Sequence, residues 1–248
     1  MSISPPKRFT ARHAALLAAA ALLCAMAPPA AQAGFSSRAA RGHEKKDPIP
    51  LEQSQIFIEF NATDNDLGFH VKLDGEDWRY MKIVNPDGRT VYEARGKSAF
   101  GELGLTELFF EGAEPSLDEF PLDELLALFP EGDYQFIGKS VDGEDMTGAG
   151  TLSHLYPDAP VVTAVMGQTV DPANAVVAWQ GVTTPPGVNI VEYEIIVDES
   201  SLRVPGSQTS IRIPPEMLQP GRTYELEVLA VDANHNQTIT AGFFSTTP

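Results

Sequence analysis

The sequence has one cysteine in 248 residues and half as many basic as acidic side chains. A single cysteine excludes a disulfide framework and a cysteine-rich metal site. The 17 Lys and Arg residues against 34 Asp and Glu give a net charge of −17, which argues against nucleic-acid binding, because little positive charge can neutralise phosphates. Hydrophobic residues nevertheless make up 43% of the chain, so we expect one or two folded domains.

The sequence also lacks the short motifs of common enzymes. It has no Gly-x-Ser-x-Gly pattern, no phosphate-binding loop, and no His-x-His or HExxH pattern. His70 and His154 stand alone on their predicted strands, and Ser200 and Ser201 lie in a predicted loop with no base nearby in the sequence. A zinc site and nucleophilic catalysis therefore have no motif support, although a triad scattered along the chain would escape this test.

Residues 1–33 have the features of a secretory signal peptide. A basic start is followed by an apolar stretch from Ala14 to Ala27, and Ala31-Gln32-Ala33 is a small-x-small cleavage site, so the mature chain would begin at Gly34. The apolar stretch, about 14 residues long, is too short to span a bilayer as a helix. We predict a secreted or periplasmic protein with no membrane span after cleavage, and the alanine-rich signal is typical of bacteria. An uncleaved anchor is the alternative.

The lone cysteine, Cys24, lies inside this segment. A lipid anchor would require a small residue before it, but Leu23 is there, so a lipoprotein is disfavoured. Cleavage after Ala33 would leave the mature protein without any thiol. Residues 34–50 contain few bulky apolar side chains and predict a flexible leader.

Two prolines in four residues, Pro157 and Pro160, predict a linker between two units. In the second unit, residues 159–248, apolar and polar residues alternate in several short segments such as Ile190–Val197. This period is that of a strand with one buried face. Several such strands separated by turns are typical of an antiparallel β-sandwich.

The segment from Leu218 to Asp232 resembles the E–F corner and F strand of a fibronectin type III domain. It contains Pro-Gly-x-x-Tyr, ending at Tyr224, and then an alternating strand. Trp179 and Tyr193 lie where this family has its B-strand tryptophan and C-strand tyrosine. The resemblance covers about residues 159–248 and implies a tyrosine corner and a structural or adhesive module. The loops lack Arg-Gly-Asp, so integrin-type adhesion has no support.

The first unit, residues 51–156, holds most of the acidic residues. Its alternating segments predict strands, separated by polar turns at Asp74–Asp77 and Asn85–Gly88. The Pro-Glu-Gly-Asp-Tyr-x-Phe run is similar to strand entry in secreted Ig-like domains. One helix is predicted after Pro121, where apolar residues have helical spacing: Leu122, Leu125, Leu126 and Phe129. We therefore expect a mostly β protein of two tandem antiparallel β-sandwiches, the first with one short helix and the second fibronectin type III-like.

One loop of the first unit is a candidate calcium site. Asp64, Asn65 and Asp66 crowd oxygen ligands between two predicted strands, ahead of Gly68. Calcium takes roughly six to eight such oxygens. The loop lacks the EF-hand spacing, and a polar turn with an Asx motif explains the same residues. Both interpretations stay open.

Two larger sets of side chains have a structural and a functional interpretation. A glycosidase needs two carboxylates fixed about 5–10 Å apart, but a run of acidic residues more often faces water. Aromatic residues can line a groove for a sugar or peptide, but on alternating strands they more often form the core. The acidic set is Glu102, Glu107, Glu111, Glu114, Asp118 and Glu119; the aromatic set is Phe57, Phe60, Phe69, Trp78, Tyr80, Phe109, Phe110 and Phe120.

These features predict a secreted, non-enzymatic binding, adhesion or scaffold protein, with a protein or an extracellular glycan as its ligand and calcium as its candidate ion. The first alternative is a secreted carbohydrate-active or other hydrolase with a fibronectin-like accessory domain. The second is a structural component of an envelope assembly, recruited through sheet edges.

Overall fold

A computed structural model describes residues 46–248. The predicted signal peptide at 1–33, with Cys24, and residues 34–45 of the predicted leader lie outside the described residues. The fold is mostly β, as predicted, with its strands arranged in two sheets. Between residues 46 and 248, no helix has the length and apolarity needed to cross a membrane.

The first part of the described chain contains seven strands and two short helices. The strands are β1 (Ile49–Pro50), β2 (Gln53–Asn61), β3 (Asp66–Val84), β4 (Thr90–Arg95), β5 (Leu105–Glu111), β6 (Gly132–Ser140) and β7 (Asp145–Leu152). The helices are α1 (Ala99–Leu103) and α2 (Leu122–Leu128). Helix α2 is the predicted one, and α1 and β5 were not predicted.

Strand β3 organises this part, because each half of it pairs with different neighbours. The half before Asp74 lies between β2 and β5, and the half after Trp78 lies between β6 and β4. The predicted turn at Asp74–Asp77 is wrong: the chain continues as one strand of 19 residues, with a shift of register at this point. Polar residues are tolerated there because consecutive side chains at such an irregularity can both face water, as Glu76 and Asp77 do.

The inward faces of these strands and α2 enclose one hydrophobic core. Trp78, Tyr134 and Phe136 are its largest fully buried side chains. Helix α2 closes one end by burying Leu125, and Phe129, just beyond the helix, stacks on Phe69 with ring centroids 4.0 Å apart. The helical spacing of the leucines therefore marks a contact with the core, as amphipathic helices require.

The second part has the strand order of two facing antiparallel sheets. Its strands are β8 (Val162–Ala164), β9 (Thr169–Val170), β10 (Val176–Trp179), β11 (Ile190–Val197), β12 (Ser200–Pro205), β13 (Ser210–Arg212), β14 (Thr223–Asp232) and β15 (Gln237–Thr246). Strands β13, β10 and β8 form a three-stranded sheet, and β12, β11, β14 and β15 are adjacent in the other. Ser200 and Ser201, expected in a loop, begin β12, which pairs with β11 through a tight turn at Asp198.

The core of this part contains the aromatic residues that the resemblance named. Trp179 and Tyr193 are buried with ring centroids 5.1 Å apart. The Tyr224 hydroxyl accepts a hydrogen bond from the backbone N–H of Gln219 at 2.5 Å, which is the expected tyrosine corner. Glu227 lies on the face of β14 opposite to Tyr224 and Leu226 and is nevertheless only 7% exposed.

The two parts share one sheet. Residues 237–239 of β15 pair in parallel with residues 59–61 of β2, so the sheet runs from β7 through β6, β3 and β2 to β15, β14, β11 and β12. Next to this pairing, the Ala62 N–H donates to the Ile239 carbonyl at 3.0 Å. The domain division near residues 157–159 stays a prediction, and the strand pairing joins the segments on either side of it.

One buried amide secures this pairing. Asn236 is completely buried, and its Oδ1 accepts from the Ile58 N–H at 2.8 Å. Its Nδ2 donates to the carbonyls of Ser153 and Leu155 at 2.8 and 2.7 Å. A single side chain thus forms hydrogen bonds with backbone groups of β2 and of the segment that links the two parts. Buried polar groups need such partners.

We predict that Asn236→Ala lowers the free energy of unfolding by about 3 kcal/mol, because three buried hydrogen bonds are lost and their backbone partners stay desolvated. Urea denaturation of the mature chain measures the change. Asn189→Ala, which removes an exposed amide, is the matched control and should change stability by less than about 0.5 kcal/mol. Equal effects of the two substitutions would contradict this role of Asn236.

Candidate metal centre

The predicted calcium loop forms a hydrogen-bonded turn. The Asn61 Oδ1 accepts from the N–H groups of Thr63 and Asp64 at 3.0 and 3.2 Å, and its Nδ2 donates to the Asp64 carboxylate at 3.1 Å. Asn65 has a φ of 55°, in the left-handed region that asparagine tolerates. These contacts are those of the Asx-turn interpretation. Calcium binding by this loop stays a prediction.

Two of the predicted ligands of this loop contact different residues, because Asp64 accepts from Asn61 whereas Asn65 contacts Asp118. The Asn65 Nδ2 donates to Asp118 at 3.1 Å. The pKa of Asp66 is raised to about 6, first by burial and then by the charges of Glu114, Asp64 and Glu111. Asp66 therefore lies near a second group of carboxylates, which the sequence did not place beside it.

This second group contains Glu59, His70 and Glu114. Two carboxylate oxygens and the His70 Nε2 all lie within 4.8 Å of one another. The Nε2 is 3.8 Å from Glu59 Oε1 and 3.7 Å from Glu114 Oε1, both beyond hydrogen-bond length. Carboxylate oxygen and imidazole nitrogen are ligands of Zn²⁺ and related ions, whereas calcium takes oxygen alone.

Strand register explains how two of these residues meet. Phe57 of β2 lies opposite His70 of β3, and Glu59 lies opposite Gly68. Glu59 and His70 are therefore diagonal neighbours on one face of the sheet, within reach of each other. Side chains two residues apart on a strand share a face, so Glu59 points to the same side of the sheet as Phe57 and its partner His70.

The third residue, Glu114, comes from the segment after β5 and lies over Gly68. A Cβ atom at Gly68 would be 2.7 Å from the Glu114 Cγ, closer than real contacts allow. Glycine is thus the residue that leaves room for this carboxylate. Because Gly68 is buried and lies between Glu59 and His70 on the sheet face, it forms the floor of the site.

The His70 ring is enclosed by aromatic side chains. It stacks on Phe57 with ring centroids 5.1 Å apart and lies 5.9 Å from Phe109. Its side chain is 5% exposed. Burial lowers the pKa of His70, but surrounding carboxylates raise it by more, so the pKa lies above its ordinary value. Those carboxylates belong to Glu114, Glu59 and Glu111.

The remaining predicted candidates are dispersed. In the acidic set, Glu111 and Glu114 lie beside His70, while Glu102, Glu107 and Glu119 are exposed elsewhere on this stretch. In the aromatic set, Trp78 is a core residue and Phe109 is 49% exposed. The Nε2 of His154 has another partner, since it lies 2.7 Å from the Phe129 carbonyl oxygen.

This group has no local sequence motif, and it was therefore not predicted. Glu59, His70 and Glu114 come from two strands and a later loop, so no short pattern contains them. One signal was present: Glu59 and His70 occur on consecutive predicted strands, where register can bring them together. The position of Glu114 depends on tertiary packing over Gly68 and left no sequence signal.

Residues 159–242 match the model of the fibronectin type III domain, which confirms the resemblance of this part of the chain. No curated protein matches the chain significantly. The family model and the strand order of β8–β15 therefore carry the assignment of this part.

Solved structures with similarity to the chain have low identity and low TM-scores. The spore cortex lytic enzyme SleM of Clostridium perfringens is 18% identical over 36% of this chain and 28% of its own, with a TM-score of 0.29. The chain thus spans less than a third of SleM. Fibronectin(III)-like modules of CbhA from Clostridium thermocellum are 10% identical over 79% and 93%, with a TM-score of 0.30. A bacterial ice-binding adhesin is 14% identical over 82% and 66%, with a TM-score of 0.26.

We predict that Asp66→Asn stabilises the fold at pH 7 in the presence of chelator, by about 1 kcal/mol after allowance for solvent screening, because it removes a partly buried charge and its repulsion from nearby carboxylates. The native pKa of Asp66, about 6, lies above its ordinary value of 3.8. The native state therefore binds this proton more tightly, and wild-type stability falls through this group as the pH rises between those values. The advantage of the variant should disappear below about pH 4.

Urea denaturation between pH 4 and 7 checks this expectation. Asp87→Asn, in the exposed turn before β4, is the control for the change of charge alone. Equal or lower stability of Asp66→Asn at pH 7 would show that burial and the neighbouring carboxylates do not disfavour the charge of Asp66.

Proposed function

We propose that this protein is a secreted, non-enzymatic binding or scaffold protein whose two β-rich parts act as one rigid unit. The observation that carries the proposal is the fibronectin type III domain whose last strand, β15, is hydrogen-bonded to β2 of the acidic part. A joint made of paired strands and a buried amide suits a protein that presents a fixed surface. The signal-like features of residues 1–33 support export.

Calcium would have a structural task in this arrangement. The loop that holds Asp64 also holds Thr63, whose Oγ1 accepts from the Ala241 N–H at 2.8 Å. The candidate calcium loop therefore contacts β15 beside the strand pairing that joins the two parts. An ion held by Asp64, Asn65 and Asp66 would neutralise crowded carboxylates and stiffen this joint, as cations do in extracellular modules.

A hydrolase with a fibronectin-like accessory domain is the second candidate. One observation favours it: Glu59, Glu111 and Glu114 gather around the buried His70. Paired carboxylates in different surroundings are the usual acid and base of glycoside hydrolysis. The two candidates differ in turnover, because a binding protein retains its ligand unchanged.

We expect calcium to raise the melting temperature of the mature chain, Gly34 to Pro248, relative to chelator. An ion that binds the native state alone stabilises it by about 2.7 kcal/mol at one hundred times its Kd. Asp64→Asn combined with Asp66→Ala should abolish the increase, whereas Asp87→Asn should retain it. No increase in the wild-type chain would leave the loop as an Asx turn.

Binding and export can be tested on the same chain. N-terminal sequencing of exported protein should find Gly34, and the labelled mature chain should bind purified cell-envelope material of the producing cells saturably. Asn236→Ala should weaken that binding if a rigid joint is needed, and Asn189→Ala should not. Intracellular retention with an intact N-terminus would contradict export. Steady release of soluble sugars or peptides by the wild-type chain would favour the hydrolase.

A further inference from the structure

We propose that Glu59, His70 and Glu114 bind a divalent transition-metal ion of the Zn²⁺ class, at a site separate from the Asp64–Asp66 loop. The inference does not depend on the proposed function, because it follows from the geometry of these three side chains alone. Each comes from a different element: Glu59 from β2, His70 from β3, and Glu114 from the segment after β5.

The distances fit a metal better than they fit direct contacts. Tetrahedral zinc, with bonds of about 2.0–2.2 Å to nitrogen and oxygen, holds its ligand atoms about 3.3–3.5 Å apart. The His70 Nε2 lies 3.8 and 3.7 Å from the oxygens of Glu59 and Glu114. These separations are too long for hydrogen bonds. A movement of a few tenths of an ångström would close them around an ion.

The imidazole nitrogen that faces this space lies near two carboxylates but makes no hydrogen bond within the described part of the chain. Within residues 46–248, His70 Nε2 is buried and has no hydrogen-bond partner. A buried polar atom without a partner costs about 1–3 kcal/mol. Such an atom needs an explanation, and an ion between it and two carboxylates supplies one. Acidic residues alone would not indicate this site; the unpartnered nitrogen aimed between them does.

The surroundings hold the carboxylates in place. The Gln237 Nε2, on β15, donates a hydrogen bond to Glu59 Oε2, which leaves Oε1 directed towards His70. Gly68 leaves the space that Glu114 occupies. Metal-binding carboxylates are usually oriented by such outer hydrogen bonds, whose loss weakens affinity about tenfold to a hundredfold.

The ligand set also defines which ions the site takes. One imidazole nitrogen beside two carboxylate oxygens suits zinc, cobalt or manganese. Calcium and magnesium take oxygen ligands and should compete poorly. Three protein ligands leave a fourth position for water or for a group of a bound partner, as in open zinc sites.

Titration of the metal-free mature chain with Zn²⁺ alone, followed by calorimetry, tests the site. We expect one equivalent to bind, and excess calcium to leave the affinity unchanged. Glu114→Gln and His70→Gln should each weaken binding by at least about tenfold, and Gln237→Ala by about tenfold, since it only orients Glu59. Glu107→Gln and His235→Gln, an acid and a histidine exposed elsewhere, are the matched controls and should bind as the wild type does.

A second measurement keeps the test valid if a substitution of His70 disturbs the stacked core. In histidine side-chain ¹⁵N spectra of the wild-type chain, Zn²⁺ should shift the His70 ring nitrogens and leave those of His154 and His235 in place. Gly68→Ala, which displaces Glu114 without removing a ligand, should weaken the same response. Binding that persists in Glu114→Gln and Gly68→Ala, a shift at His235 instead of His70, or equal competition by calcium would each overturn the proposal.

Discussion

The parallel pairing of β2 with β15 is the constraint on which the rest of the structure depends. It joins the acidic part to the fibronectin type III domain through backbone hydrogen bonds rather than through a flexible linker. Parallel strands have no turn between them, so their alignment must come from other contacts. Here Asn236 supplies them, because its amide is bonded to β2 on one side and to the linking segment on the other.

The same pairing also supports the candidate metal centre. Glu59 lies in the stretch of β2 that meets β15, and Gln237 of β15 holds its carboxylate. His70 is then placed by the antiparallel register of β3, and Glu114 by the space above Gly68. The three ligands therefore belong to the acidic part, and β15 adds the hydrogen bond that orients one of them.

Sequence reasoning succeeded for features that depend on neighbouring residues and failed for those that depend on contacts between distant segments. The alternation in Ile190–Val197 predicted β11 correctly, because a half-buried strand imposes its period on neighbouring residues. The polar run at Asp74–Asp77 predicted a turn that is absent, because composition does not distinguish a turn from an irregularity inside a long strand. The pairing of β2 with β15 and the contact of Glu114 with His70 left no local pattern. Both depend on which distant segments pack together.

The order of the strands along the chain has a consequence for when folding can be completed. Asn236 and its partner Ile58 are 178 residues apart, and the strand that follows Asn236 is the last of those described in residues 46–248. The chain loses conformational entropy when so long a loop closes, before the contacts across it can stabilise the fold. This order slows folding. During synthesis, the edge of β2 that pairs with β15 must stay open until β15 emerges. An unpaired edge is a site of aggregation, so a chaperone that binds extended segments would protect β2 during that interval.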